Sequence, residues 1–218
     1  MSEAESVRYI GAQREIFKSG RADAQISLAE LSDQPNLYAL GPVAGLDGEI
    51  TIFDSRPYVS QVRGDGDAYV VDRSFDHGAI FLAWAQMREW DDTAVAESVS
   101  SYKELETFVK QAARERGIDT DAPFPFLMSG TVHEIVWHIN VDRTGGQPIT
   151  RELFQKSKQK YTLRRERVDN FGVHSERHGG ILMGDDMRIH IHFVSRDSDA
   201  TGHIDEIAPG GLMLRLAR

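Results

Sequence analysis

The chain has 218 residues, with 25 Lys and Arg against 34 Asp and Glu and a net charge of −9, which argues against a general nucleic-acid binder. It contains no cysteine, so disulfides and thiolate ligands are excluded, and any transition metal must be held by histidine and carboxylate. Residues 1–6 are acidic without an apolar core, unlike a secretory leader, and no run reaches the length of a membrane span; the expectation is a cytoplasmic protein with neither membrane nor nucleic acid as partner.

From the N-terminus, residues 9–18 carry Ile10, Ile16 and Phe17 and end before Gly20, which predicts a short helix. Ser27-Leu28-Ala29-Glu30 has the form of a capping box opening a second short helix through Leu31. Residues 37–40, 49–54 and 57–62 read as strands of a meander, with turns at Gly45-Leu46-Asp47-Gly48 and Gly64-Asp65-Gly66-Asp67. The apolar run at 78–87 predicts one strand buried on both faces. Ser101 and Glu104 form a second capping box, and Leu105, Phe108, Val109 and Ala112 make the apolar stripe of a helix over 101–116, a stripe that serves core packing. Asp121-Ala122-Pro123-Phe124-Pro125-Phe126 breaks the pattern and marks a junction between an N-terminal half, 1–122, and a C-terminal half, 123–218.

Residues 131–141 return to strand. His133 and His138, five apart, fall on opposite faces and do not form a chelating pair. Over 150–168 the charge reverses, with Arg151, Lys156, Lys158, Lys160, Arg164, Arg165 and Arg167 facing only Glu152 and Glu166. Such a stretch reads as a solvated helix and strand face, or as an attractor for a small anionic substrate. His174 and His178 would meet on a helix, but Gly172, Gly179 and Gly180 around them argue against one.

The segment with most chemistry is Arg188-Ile189-His190-Ile191-His192-Phe193. Alternation puts Met187, Ile189, Ile191 and Phe193 on one face of a strand and His190 and His192 side by side on the other. The polar stretch 195–202 predicts a turn, after which the returning chain brings His203 alongside the pair. Three neutral nitrogen ligands with a fourth position open is the arrangement of a catalytic zinc or similar divalent site. Period-two histidines on the polar face of an ordinary strand are the plainer alternative, and it is the third histidine that favours a metal.

Gly45-Leu46-Asp47-Gly48-Glu49 before a hydrophobic strand, with the later His190-x-His192-Phe193 and Gly202-His203-x-Asp205, resembles the α-acetolactate decarboxylase family in order and rough spacing. The resemblance implies an α+β fold: two packed β-rich halves, a mixed sheet and an antiparallel sheet or barrel, with a few helices and the metal site between them. It implies zinc, or another divalent metal, on His190, His192 and His203. It also implies decarboxylation of acetolactate, or a related small anionic 2-hydroxy-3-keto acid, to acetoin and carbon dioxide. Departure of the carboxylate leaves an enediolate whose charge a divalent ion can accept, and a carboxyl group must then deliver a proton. Glu49, matching the glutamate of the family's turn, is implied in that role.

The family's substrate-binding arginine matches Arg143, which keeps Gln147 and Pro148 behind it, with Arg151 as fallback. The family's glutamate downstream of the third histidine has no expected counterpart, and Glu206 is not supported as one. Two other readings remain open at this point: a non-catalytic small-molecule or metal-binding protein on the same scaffold, and a cupin-like metalloenzyme. Arg196 counts against the cupin reading, because it stands where that motif wants a glutamate. A homodimer is compatible with the chain.

Overall fold

The structure, a computed structural model, describes residues 6–64 and 66–217. Residues 1–5, Asp65 of the glycine-rich turn and Arg218 lie outside it. Among the described residues the first strands are β1 (Arg8–Ile10), β2 (Ile26–Ser27), β3 (Leu37–Pro42), β4 (Glu49–Phe53), β5 (Arg56–Val62), β6 (Tyr69–Asp72), β7 (Gly78–Ala79) and β8 (Leu82–Gln86), with helix α1 (Gln13–Ser19) after β1. Six of them form one sheet in the order β1-β8-β3-β4-β5-β6, while β2 and β7 pair separately. Then come β9 (Trp90–Ala94), helix α2 (Tyr102–Glu115), β10 (Phe124–Thr131), β11 (Glu134–Asn140), helix α3 (Arg151–Lys156), β12 (Lys158–Arg164), β13 (Arg167–His174), β14 (Ile189–Ser195), β15 (Thr201–Ala208) and β16 (Gly211–Ala217). These strands build a second sheet in the order β12-β11-β15-β14-β13-β10-β16-β9.

The two β-rich halves expected from the resemblance are present. Every ladder in the six-stranded sheet is antiparallel, so that sheet is not mixed. The sheets meet through Tyr38, Leu40, Ala83 and Ala85 on one side and Leu127, Phe171 and Val173 on the other. On its other face the larger sheet is covered by α2, whose Leu105, Val109, Ala112 and Ala113 share a core with Ile139, Ile189, Ile191 and Phe193. The predicted stripe of α2 is therefore packing, and Ser101 caps the helix by accepting from the Glu104 N–H. Among the described residues no helix is long and apolar enough to cross a membrane.

Three expectations need correction. The chain changes sheets between β8 and β9, because β9 pairs with β16 and α2 packs on the larger sheet; a division at 122/123 would cut both from their partners. The broken stretch at 121–126 instead opens strand β10. Pro125 is tolerated there because β16 joins the ladder only from Phe126 onward, leaving Pro125 a strand neighbour on one side alone. The apolar run at 78–87 is split into β7 and β8 by Ile80 and Phe81, which turn aside into a small core with Ile16, Leu46, Ile149 and Phe154. The first helix is also shorter than predicted. Tyr9 and Ile10 pair with β8, and α1 ends at Gly20, a left-handed cap whose N–H bonds to the Ile16 carbonyl.

His174 closes β13 fully buried and stacked on Phe124, with ring centroids 4.7 Å apart. Burial holds its imidazole down at about 4, against an ordinary 6.5. The unfolded chain takes up this proton as pH falls through 6.5, but the folded protein does so only near 4. His174 thus contributes fully to stability above pH 6.5, and that contribution is lost between 6.5 and 4. We expect His174→Phe to flatten the fall in urea-unfolding free energy between pH 7 and 4.5 by about 2 kcal/mol, the part of this shift that falls in that window. An unchanged slope would show that other buried groups set the acid sensitivity.

Candidate active site

Strand β14 carries the alternation read from the sequence. Ile189, Ile191 and Phe193 enter the core beneath α2, and His190 and His192 project from the opposite face toward the smaller sheet. The turn after β14 is closed by Ser195, whose backbone N–H donates to the Ala200 carbonyl and whose Oγ accepts from the Ala200 N–H. The return strand β15 sets His203 directly opposite His192 in an antiparallel register, so their side chains share one face.

His190 Nε2 lies 3.1 Å from His192 Nε2 and 2.8 Å from His203 Nδ1. Second contacts engage the nitrogens that point away from the cluster. His190 Nδ1 is 2.6 Å from the Leu182 carbonyl, and His192 Nδ1 is 3.3 Å from Thr51 Oγ1, which is itself held by Thr201 Oγ1 at 2.9 Å. A proton on each Nδ1 leaves both Nε2 lone pairs facing the cluster. Burial, reinforced by neighbouring imidazoles, holds His192 and His203 well below their ordinary pKa; burial brings His190 to about 4, although the Leu182 carbonyl pulls the other way. With His203 Nδ1 likewise unprotonated, three lone pairs converge, an arrangement that a cation between them satisfies. Separations near 3 Å are also those of donors each about 2.0–2.1 Å from a shared ion. The donor set therefore fits a divalent metal.

Glu49 reaches this cluster from the other sheet. Gly48 adopts φ of +140°, and a Cβ there would lie 2.4 Å from the Ser60 carbonyl oxygen, so glycine is required. The turn delivers Glu49 as the first residue of β4, only 2% exposed. Its Oε2 is 3.6 Å from His192 Nε2, and its Oε1 accepts from Asn140 Nδ2 at 2.5 Å. Burial pushes the Glu49 carboxyl well above the usual range, against the downward pull of Lys158 and Asn140. His138 stands beside it, with Nε2 3.7 Å from Glu49 Oε1 and Nδ1 3.0 Å from Asp205 Oδ1. Ligating atoms of His138, His203 and Asp205 also fall within 4.8 Å of one another. Asp205, however, already faces the Lys158 and Lys160 ammonium groups at 3.5 and 3.3 Å. The three-histidine set is the better cradle.

A cavity of about 320 Å³ opens onto these groups. Glu49, His138, Asn140, His190, His203 and Asp205 form its polar wall, and Phe17, Phe81, Phe154 and Met183 its apolar one. Arg143 is elsewhere. The connection after β11 turns outward, and the exposed guanidinium bonds to the Lys156 carbonyl and Gln159 Oε1. The fallback, Arg151, does line the cavity, at its mouth, where it pairs with Asp185 at 2.9 Å and lies over the Phe17 ring.

His138 and Asn140 were passed over in the sequence. Their signal was legible, since they stand at period two opposite the buried Ile135, Trp137 and Ile139, as His190 and His192 do on β14. Comparing His138 only with His133, which is exposed, hid the pair. In sequence Lys158 is one of several neighbouring basic residues, and Asp205 stands out only within the Gly202-His203-x-Asp205 motif.

Three histidines on one antiparallel sheet face a buried carboxylate on the other, a donor set that could hold a metal ion within a two-sheet architecture. The family model described as alpha-acetolactate decarboxylase matches residues 13–217, and the chain belongs to that family. Its fold resembles the alpha-acetolactate decarboxylase of Bacillus subtilis strain 168, with a TM-score of 0.78 at 13% identity, covering 98% of this chain and 86% of that one. The acetolactate decarboxylase of Bacillus subtilis subspecies spizizenii gives 0.77 at 14%, covering 97% and 85%. A Staphylococcus aureus protein described as similar to alpha-acetolactate decarboxylase gives 0.75 at 14%, covering 96% and 84%. Among proteins with curated descriptions, none matches. Membership of this family leaves the cupin-like alternative without support.

Proposed function

We propose that the chain is a metal-dependent carboxy-lyase that converts acetolactate, or a related 2-hydroxy-3-keto acid, to the hydroxyketone and carbon dioxide. The observation that carries this reading is the Glu49 carboxyl, buried and directed across the gap between sheets at the three-histidine cluster. A divalent ion on His190, His192 and His203, zinc in our reading, would supply the Lewis acidity that stabilises the negative charge left when carbon dioxide departs.

The chain's own groups supply the rest. Burial favours the protonated form of Glu49, and the Asn140 amide occupies Oε1, which leaves Oε2, the oxygen nearer the histidines, to carry the proton. A proton held there is placed for delivery to the carbanionic carbon. The Leu182 carbonyl, an acceptor only, holds His190 in the ligating tautomer, Thr51 meets the far nitrogen of His192, and phenylalanines line the cavity's apolar wall.

Acetoin release from racemic acetolactate tests the reading, using protein as purified, chelator-treated protein, and the latter with zinc restored. We expect activity to vanish with the chelator and return with the ion. A metal-loaded protein that releases no acetoin from acetolactate, nor the corresponding ketone from longer homologues, would be a binding protein on the family scaffold.

A further inference from the structure

We propose that Lys158 anchors the carboxylate of the anionic substrate, whereas the family resemblance implies an arginine, Arg143 or Arg151, as the substrate-binding residue. The proposal rests on the hydroxy-keto acid reading for the identity of the anion, and on geometry for the residue. Three permanently cationic side chains line the cavity among the described residues: Arg14, Arg151 and Lys158. The arginine side chains are 50% and 68% exposed, and each faces a carboxylate, Glu15 at 3.7 Å and Asp185 at 2.9 Å. Lys158 is different, with a side chain only 14% exposed.

Its register places it at the reacting end. Lys158 on β12 is the direct partner of Asn140 on β11, and Asn140 donates to Glu49. Its Nζ lies 3.5 Å from Asp205 Oδ1, and Lys160 Nζ lies 3.3 Å from Asp205 Oδ2. Two ammonium groups thus share one carboxylate, so Asp205 does not neutralise both. Asp205 also positions the Lys158 ammonium, so a bound anion need not order a free side chain. A half-enclosed cation in this setting attracts an anion more strongly than the screened arginines at the mouth.

The arrangement carries a kinetic signature. Attraction between the ammonium and the substrate carboxylate weakens as that carboxylate becomes neutral carbon dioxide. Lys158 therefore stabilises bound substrate more than the transition state, and its loss should raise KM while kcat stays level or rises.

The experiment compares Lys158→Met and Lys158→Arg with the unaltered, zinc-loaded protein by calorimetric titration. The probes are 2-hydroxyisobutyrate, which lacks the keto group, and its neutral amide. We expect the methionine variant to bind the anion at least tenfold more weakly, the arginine variant to recover most of the affinity, and the amide to bind all three equally. Metal content by elemental analysis should not change. Equal anion affinity in the methionine variant, or no anion binding by the unaltered protein, overturns the proposal. Equal loss of anion and amide binding also overturns it, because Lys158 would then be merely structural. Selective anion binding with no acetoin released would defeat the decarboxylase reading and leave the Lys158 anchor standing.

Discussion

Replacing His192 with alanine is expected to reduce bound metal from about one ion per chain to less than a tenth, and to lower acetoin release by about a thousandfold or more. His192 is fully buried between the sheets, directly opposite His203 and bonded behind to Thr51. Alanine there removes one of three nitrogens that a divalent ion requires and leaves a cavity that no nearby side chain fills. A Lewis acid contributes several kcal/mol to such a transition state, and each 1.36 kcal/mol is tenfold in rate. Elemental analysis of protein purified without chelators, alongside the acetoin assay, checks both halves. A variant that retains its full metal content would show that the ion sits elsewhere, with His138, His203 and Asp205 as the next candidates.

The second large effect is expected from Glu49→Gln. The amide keeps the shape and can still meet Asn140, but it has no acidic proton to give. Metal content and the urea midpoint should hold, while turnover falls by roughly a hundredfold, the usual scale for loss of a general acid. The structure motivates the choice, since Glu49 is buried with one oxygen engaged by Asn140 and the other facing the histidines. Full turnover in the variant would assign the proton to water. Loss of metal together with activity would make Glu49 a ligand.

The part of the site that lies within one hairpin was legible from the sequence. Alternation and one polar turn suffice to place His190, His192 and His203 together, because strand geometry is local and nearly rigid. Glu49 was reached only through the resemblance, since nothing local tells which turn in one sheet will face which strand in the other. Arg143 failed for a related reason. Its position was inferred from order along the chain, whereas access to the cavity is decided by the direction in which the connection leaves β11. Lys158 illustrates the opposite limit. In sequence it is one of several basic residues, and only the pairing of β12 with β11 separates it from the solvated ones. In the fold itself, periodicity identified α2 and β14, but β9 and β10 required knowledge of their partners.

All three histidines of the cradle come from a single hairpin, whereas the carboxyl that faces them comes from the opposite sheet, 141 residues before His190 in the case of Glu49. The proposed ion cradle and the proposed proton donor therefore belong to different sheets, and substitutions at one can be made without replacing any residue of the other. Substitutions at Glu49 leave the backbone of the histidine hairpin untouched, whereas those at Thr51 on the same strand reach His192 directly.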